Sequence, residues 1–167
     1  VMETPLPLQQ KATEPIENMT SRQVQQSDLS VFKKLEKQIS NPVWLQIQGS
    51  ASPNYFPSPS DRLMQRFANA QRWVRVFVRG KNIIGFLSAR TSGNQAKGTI
   101  FRPVIAQENV EYLPQMLDEA AVWLRHQGKE TMQIGVPDDR EALIAELLRK
   151  GWIKSVTWVQ LVKSLDN

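Results

Sequence analysis

The sequence predicts an α/β domain built on a mixed, mostly antiparallel sheet flanked by helices. Three observations carry this. Residues 73–79 and 83–89 are apolar-rich runs separated by the turn residues Gly80, Lys81 and Asn82, the pattern of a β-hairpin. Residues 109–127 follow a helical period and are succeeded by a short apolar strand at 132–136. A helix between two strands is the usual crossover that pairs them in parallel, here 132–136 beside a strand ending near Ile105. Finally, the 167 residues are 41% hydrophobic with five tryptophans and no cysteine, which suits one packed domain and excludes a disulfide scaffold.

Each element follows in order. Residues 1–18, with Pro5, Pro7, Pro15 and several glutamines, read as a flexible leader, and 19–167 as a single domain. A short strand is expected at 20–24. Ser27 or Asp28 then caps a helix to about Ser40, with Leu29, Phe32, Leu35, Glu36 and Ile39 mostly on one face. Four prolines between residues 41 and 60 predict a loop or very short elements. Ser60 or Asp61 opens a second helix with Leu63, Met64 and Phe67 on one side. The hairpin follows, then a turn at Ser92, Gly93 and Asn94 and a third strand over 97–105. The helix at 109–127 turns Leu113, Met116, Leu117, Ala120, Ala121 and Leu124 inward and stops at Gly128. After the 132–136 strand, Asp138 or Asp139 caps a helix over 141–150 ended by Gly151, and 152–162 is strand-like with a bend near Lys154 and Ser155.

Charge is segregated along the chain. Between Arg62 and Gln107 stand nine Lys or Arg and no acid, while the flanking segments carry net charges of −1 and −3, so the whole +5 excess sits in the middle third. Such a field attracts anions, either an acidic protein surface or nucleic acid. On alternating strands Arg75 and Arg79 share a face with Trp73 and Phe77. The candidate partner-binding residues are Arg72, Arg75, Arg79, Lys81, Arg90 and Arg102. A solvated sheet face, with arginine stems covering the aromatics, explains the same pattern.

Several chemistries are excluded. Without cysteine there is no thiol nucleophile or thiolate metal site, and a single histidine, His126, rules out a His-rich one, so no metal is expected. His126 next to a helix end reads as a surface residue. No Gly-x-Ser-x-Gly elbow and no phosphate-binding Gly-rich Lys loop is present. No apolar run reaches the length of a membrane span, and the expected setting is cytoplasmic.

The order of strand, two helices, three antiparallel strands, helix, strand, helix and terminal strand resembles the GNAT N-acetyltransferase superfamily. Thr20, Ser21, Arg22 and Gln23 followed by Ser27, Asp28 and Leu29 resemble its opening strand–helix phrase; residues 113–128 resemble its central helix. Leu147, Leu148, Arg149, Lys150, Gly151 and Trp152 are similar to its helix–Gly–aromatic ending. The resemblance implies acyl transfer from acetyl-CoA or another acyl-CoA to an amine, with Val104, Ile105, Gln107 and Asn109 as cofactor-binding positions. The chain departs from the family pattern in four places. The phosphate-loop glycines are replaced over 108–113 and Glu108 and Glu111 stand there instead. Leu147 occupies the place of the general-acid tyrosine, Arg140 that of an asparagine, and residues 97–106 lack the family's glutamate base. These departures set a second expectation beside the enzyme: a non-catalytic domain with degenerate acyl-CoA and catalytic motifs that docks a partner through the basic region 62–102.

Overall fold

The structure, a computed structural model, describes residues 2–5, 19–40, 42, 45, 49–67, 70–93, 95–137 and 139–154. Its strands are β1 (Met2–Pro5), β2 (Met19–Gln23), β3 (Arg72–Arg79), β4 (Asn82–Arg90), β5 (Lys97–Ile100), β6 (Val104–Ile105), β7 (Thr131–Ile134) and β8 (Ile153–Lys154). The helices are α1 (Leu29–Ile39), α2 (Ser52–Tyr55), α3 (Pro59–Phe67), α4 (Leu113–His126) and α5 (Glu141–Arg149). One sheet runs in the order β2-β3-β4-β5-β7-β1-β8, with β6 also paired to β4. Every pairing is antiparallel except β5 with β7, which run parallel as the crossover through α4 requires. The mixed, mostly antiparallel sheet is as expected from the sequence.

The sheet buries both faces. On one, Trp73, Phe77, Leu87, Ile100 and Ile105 pack under Leu113, Met116, Leu117, Ala120 and Leu124 of the α4 segment. On the other, Val76, Phe86 and Val104 meet Phe32 of α1 and Tyr55 of α2. Residues one apart on a strand therefore belong to different cores, as the strand period demands. α4 lies so close that a Cβ on Gly98 would stand 2.3 Å from a methyl of Leu124, which explains a glycine in the middle of β5. The hairpin turn carries Gly80 at φ 61°, a left-handed conformation that glycine adopts without steric cost.

The opening strand–helix phrase has a physical basis. Arg22 on β2 reaches both carboxylate oxygens of Asp28 at 2.8 Å, and the Gln25 amide donates to the same carboxylate at 2.8 Å. This bidentate pair lowers the Asp28 pKa, chiefly through the Arg22 hydrogen bonds, and pins the start of α1 to the sheet edge.

Four expectations are corrected. The leader assigned to 1–18 contains β1, which lies antiparallel between β7 and β8, with Met2 buried and Glu3 bonded to Lys97 at 2.6 Å. A four-residue segment gains two ladders there, and the proline that ends it, Pro5, comes only at its last position; residues 6–18 lie outside the described residues. The third strand is broken into β5 and β6. The helix expected from Asn109 begins at Leu113, behind a 3₁₀ turn over Gln107–Tyr112, because Pro114 in the first turn fixes φ and donates no N–H. α5 is preceded by Arg140 rather than capped by an aspartate side chain; Asp138 and residues 155–162 of the expected last strand lie outside the described residues. On α3, Leu63 and Phe67 are exposed, and the side chain of Met64 is outside the described set.

Candidate functional site

Among the described residues, the sheet divides at the break between β5 and β6. As far as Ile100 and Ile134, β5 is paired on both sides, to β4 and to β7. Beyond that point β6 follows β4, with Val104 opposite Phe86 and Ile105 opposite Gly85, while the chain after Ile134 leaves the sheet. An opening in the pairing results, between β6 and the chain after Ile134.

Arg140 occupies the β6 side of this opening. It is 8% exposed, and its guanidinium donates at 2.9 Å to the carbonyl of Ile105 and at 3.5 Å to the carbonyl of Ile39 at the end of α1. Burial works against its charge, Asp139 offsets part of that cost, and Arg102 adds repulsion. The backbone turn that positions it is local: the Arg140 amide donates to Pro137 at 3.2 Å, and the Arg140 carbonyl accepts from Ile144 at 3.0 Å. A cation held by two backbone carbonyls satisfies the split strand from within the chain.

The sequence-derived cofactor positions lie along β6 and the 3₁₀ turn that follows it. Val104 and Ile105 are fully buried in β6. Gln107 is exposed at the start of the 3₁₀ turn, and the Asn109 side chain turns to the Ile84 carbonyl of β4 at 3.4 Å. At the start of α4, Tyr112, Leu113 and Met116 are buried, Glu108 and Glu111 are exposed, and the Tyr112 hydroxyl accepts from Arg79. Leu147 is 1% exposed in the α4-side core, so it contributes packing and has no proton to give.

The basic residues separate by strand parity. Arg75 and Arg79 do share their face with Trp73 and Phe77, but α4 covers those aromatics, which are 8% and 0% exposed, and Trp73 stacks on Trp123. The expected open face of arginines and aromatics is thus a buried core with arginines at its margin. Arg75 lies 5.8 Å over the Trp73 ring and Arg79 5.6 Å over that of Tyr112. Lys81 is exposed at the hairpin turn. Arg72 and Arg90 project to the α1/α2 side and both lie over Phe101, at 5.7 and 5.4 Å. Arg102 is withdrawn into the interior, where it donates to Glu36 at 2.8 Å. The side chains of Arg62 and Arg66 lie outside the described residues.

Two groups escaped the sequence reading. Arg140 stood out only as a departure from a family asparagine. Glu36 looked like one residue of an amphipathic helix, yet at 4% exposure it accepts from Ser50 Oγ and the Ala51 amide at 2.5 Å each as well as from Arg102. Its only signal was a charge at an apolar position of the helical period. Among the described residues no group of three or more acidic or histidine side chains is placed to hold a metal ion, and no helix is long and apolar enough to cross a membrane.

No protein-family model and no curated protein sequence matches the chain. Solved structures do. The PaiA N-acetyltransferase of Thermoplasma acidophilum, solved with coenzyme A, superposes with a TM-score of 0.56 at 12% identity, over 79% of this chain and 87% of that one. A transcriptional regulator from Bacillus halodurans gives 0.55 at 15% identity, over 87% and 99%. A probable acetyltransferase from Staphylococcus epidermidis gives 0.54 at 12% identity, over 80% and 82%. The chain has the GNAT fold.

Proposed function

We propose that this chain is a GNAT-fold binding module, not an acetyl-CoA-dependent N-acyltransferase, and that it docks an acidic protein surface through the basic residues around β3 and β4. The observation that carries the reading is Arg140, whose buried guanidinium takes the Ile105 carbonyl inside the opening of the sheet. The exposed Glu108 and Glu111 and the buried Leu147 argue the same way: none supplies a cation or a transferable proton. An acidic protein fits the basic side better than nucleic acid does, because Trp73 and Phe77 are buried and Phe101 is already faced by two guanidinium groups, leaving no ring among them for base stacking.

The acyltransferase reading has one observation in its favour. The sheet still divides between β6 and β7, and the PaiA structure of the same fold was solved with coenzyme A. Titration calorimetry with acetyl-CoA decides between the two. We expect no saturable heat up to about 1 mM ligand, a concentration that corresponds to only about 4 kcal/mol of binding free energy. Micromolar affinity would overturn the module and restore the enzyme.

A further inference from the structure

We propose that Arg72 and Arg90, paired across the hairpin and lying 5.7 and 5.4 Å from the centre of the Phe101 ring, form a binding site for a single dianionic phosphate group. The register of the hairpin places Arg72 directly opposite Arg90. Thr91 donates its amide to the Gln71 carbonyl at 2.9 Å, so 71/91 is a hydrogen-bonded pair and 72/90 the adjacent non-bonded one, where facing side chains stand closest. Like charges in that position repel, and a sheet normally places opposite charges or apolar side chains there.

Nothing described in the chain discharges the pair. Neither arginine is in an ion pair among the described residues. Arg72 gives one N–H to the Pro53 carbonyl at 2.9 Å, while its buried Nε has no partner, and its charge is disfavoured first by burial and then by Arg90. Asp61 acts favourably on Arg72, but from beyond ion-pair distance, and its carboxylate is engaged by the Ser58 amide and hydroxyl at 2.9 and 2.7 Å. Arg90 touches only the ring of Phe101 among its described interactions. Two forked guanidinium groups on one aromatic platform match tetrahedral phosphate oxygens, and a dianion balances both charges where a carboxylate balances one. The site lies on the α1/α2 side, apart from the opening at β6, and it stands whether or not acetyl-CoA binds.

The test is calorimetry with inorganic phosphate at ionic strength matched with chloride, on the full chain and two variants of equal charge change. Arg90→Gln removes one fork and no described hydrogen bond; Lys150→Gln removes an exposed charge at the end of α5, outside the basic region. We expect saturable phosphate binding, at least tenfold weaker in Arg90→Gln and within twofold of the parent in Lys150→Gln. With O-phosphoserine, affinity is expected to rise between pH 5 and pH 7 as the second ionisation, near pH 6, completes the dianion. Absence of saturable binding, an equal loss in both variants, a pH-independent affinity, or acetate binding as tightly as phosphate would each overturn the site.

Discussion

The two faces of the sheet are stabilised by different physics. Beneath α4 the core is a continuous apolar layer in which Leu124, Met116 and Leu113 fill the space over β3, β4 and β5. Beneath α1 and α2 a smaller aromatic cluster, with Phe32 packed against Tyr55 and Phe86, is interrupted by buried polar groups: Glu36 with Arg102, Asp28 with Arg22, and Arg140 on backbone carbonyls. Tyr55 belongs to this second layer, its hydroxyl donating to the Arg102 carbonyl at 2.7 Å and burial pushing its ionisation up, out of reach of physiological pH. The apolar face tolerates small shifts because dispersion is non-directional. The polar face works only if every partner is in place.

The largest expected effect tests that contrast directly. Glu36→Ala removes the carboxylate from beside the buried Arg102 and leaves Ser50 and Ala51 without their acceptor, at a cost of about 3–5 kcal/mol in urea unfolding. Leu124→Ala, fully buried on the other face, is expected to cost a similar 2–5 kcal/mol or about that, by cavity formation. The faces part in the double replacements. Glu36→Met with Arg102→Met should recover the part of the loss that comes from the unpaired Arg102, while the Ala51 amide still lacks its acceptor. If the double variant is as unstable as Glu36→Ala, the polar face is held by more than this pair.

A smaller effect should appear in acid. Asp28 has its folded pKa depressed by Arg22 and by the Gln25 amide, so its contribution is complete above the unfolded carboxylate value and is lost as pH falls through the lower, folded one. Asp28→Asn should cost about 1–2 kcal/mol at neutral pH and flatten the acid limb of the stability profile. Parallel profiles for variant and parent would assign the phrase at the β2–α1 junction no electrostatic role. The smallest effect is expected at the surface. Arg149 pairs with Glu146 at 2.6 Å on the outer side of α5, and Arg149→Ala should leave the thermal midpoint unchanged within error. A clear drop there would mean that exposed pairs contribute to this fold as buried ones do.

Local period and punctuation made part of the fold readable in advance. The hairpin at β3 and β4, the inward stripe of α4, the stop at Gly128 and the parallel crossover to β7 were all legible, because a two-residue or 3.6-residue period and a left-handed glycine act within a few residues of themselves. The GNAT fold followed from that order. Only the tertiary structure decided the rest. That β1 completes the sheet between β7 and β8 depends on ladder partners more than 120 residues away in the chain, which four residues of sequence cannot announce. Arg140 reaches Ile105 across 35 positions and Glu36 receives Arg102 across 66, so each looks in the sequence like an ordinary surface charge. A buried charge is defined by the partner that the fold brings to it, and that partner has no signature in the local chain.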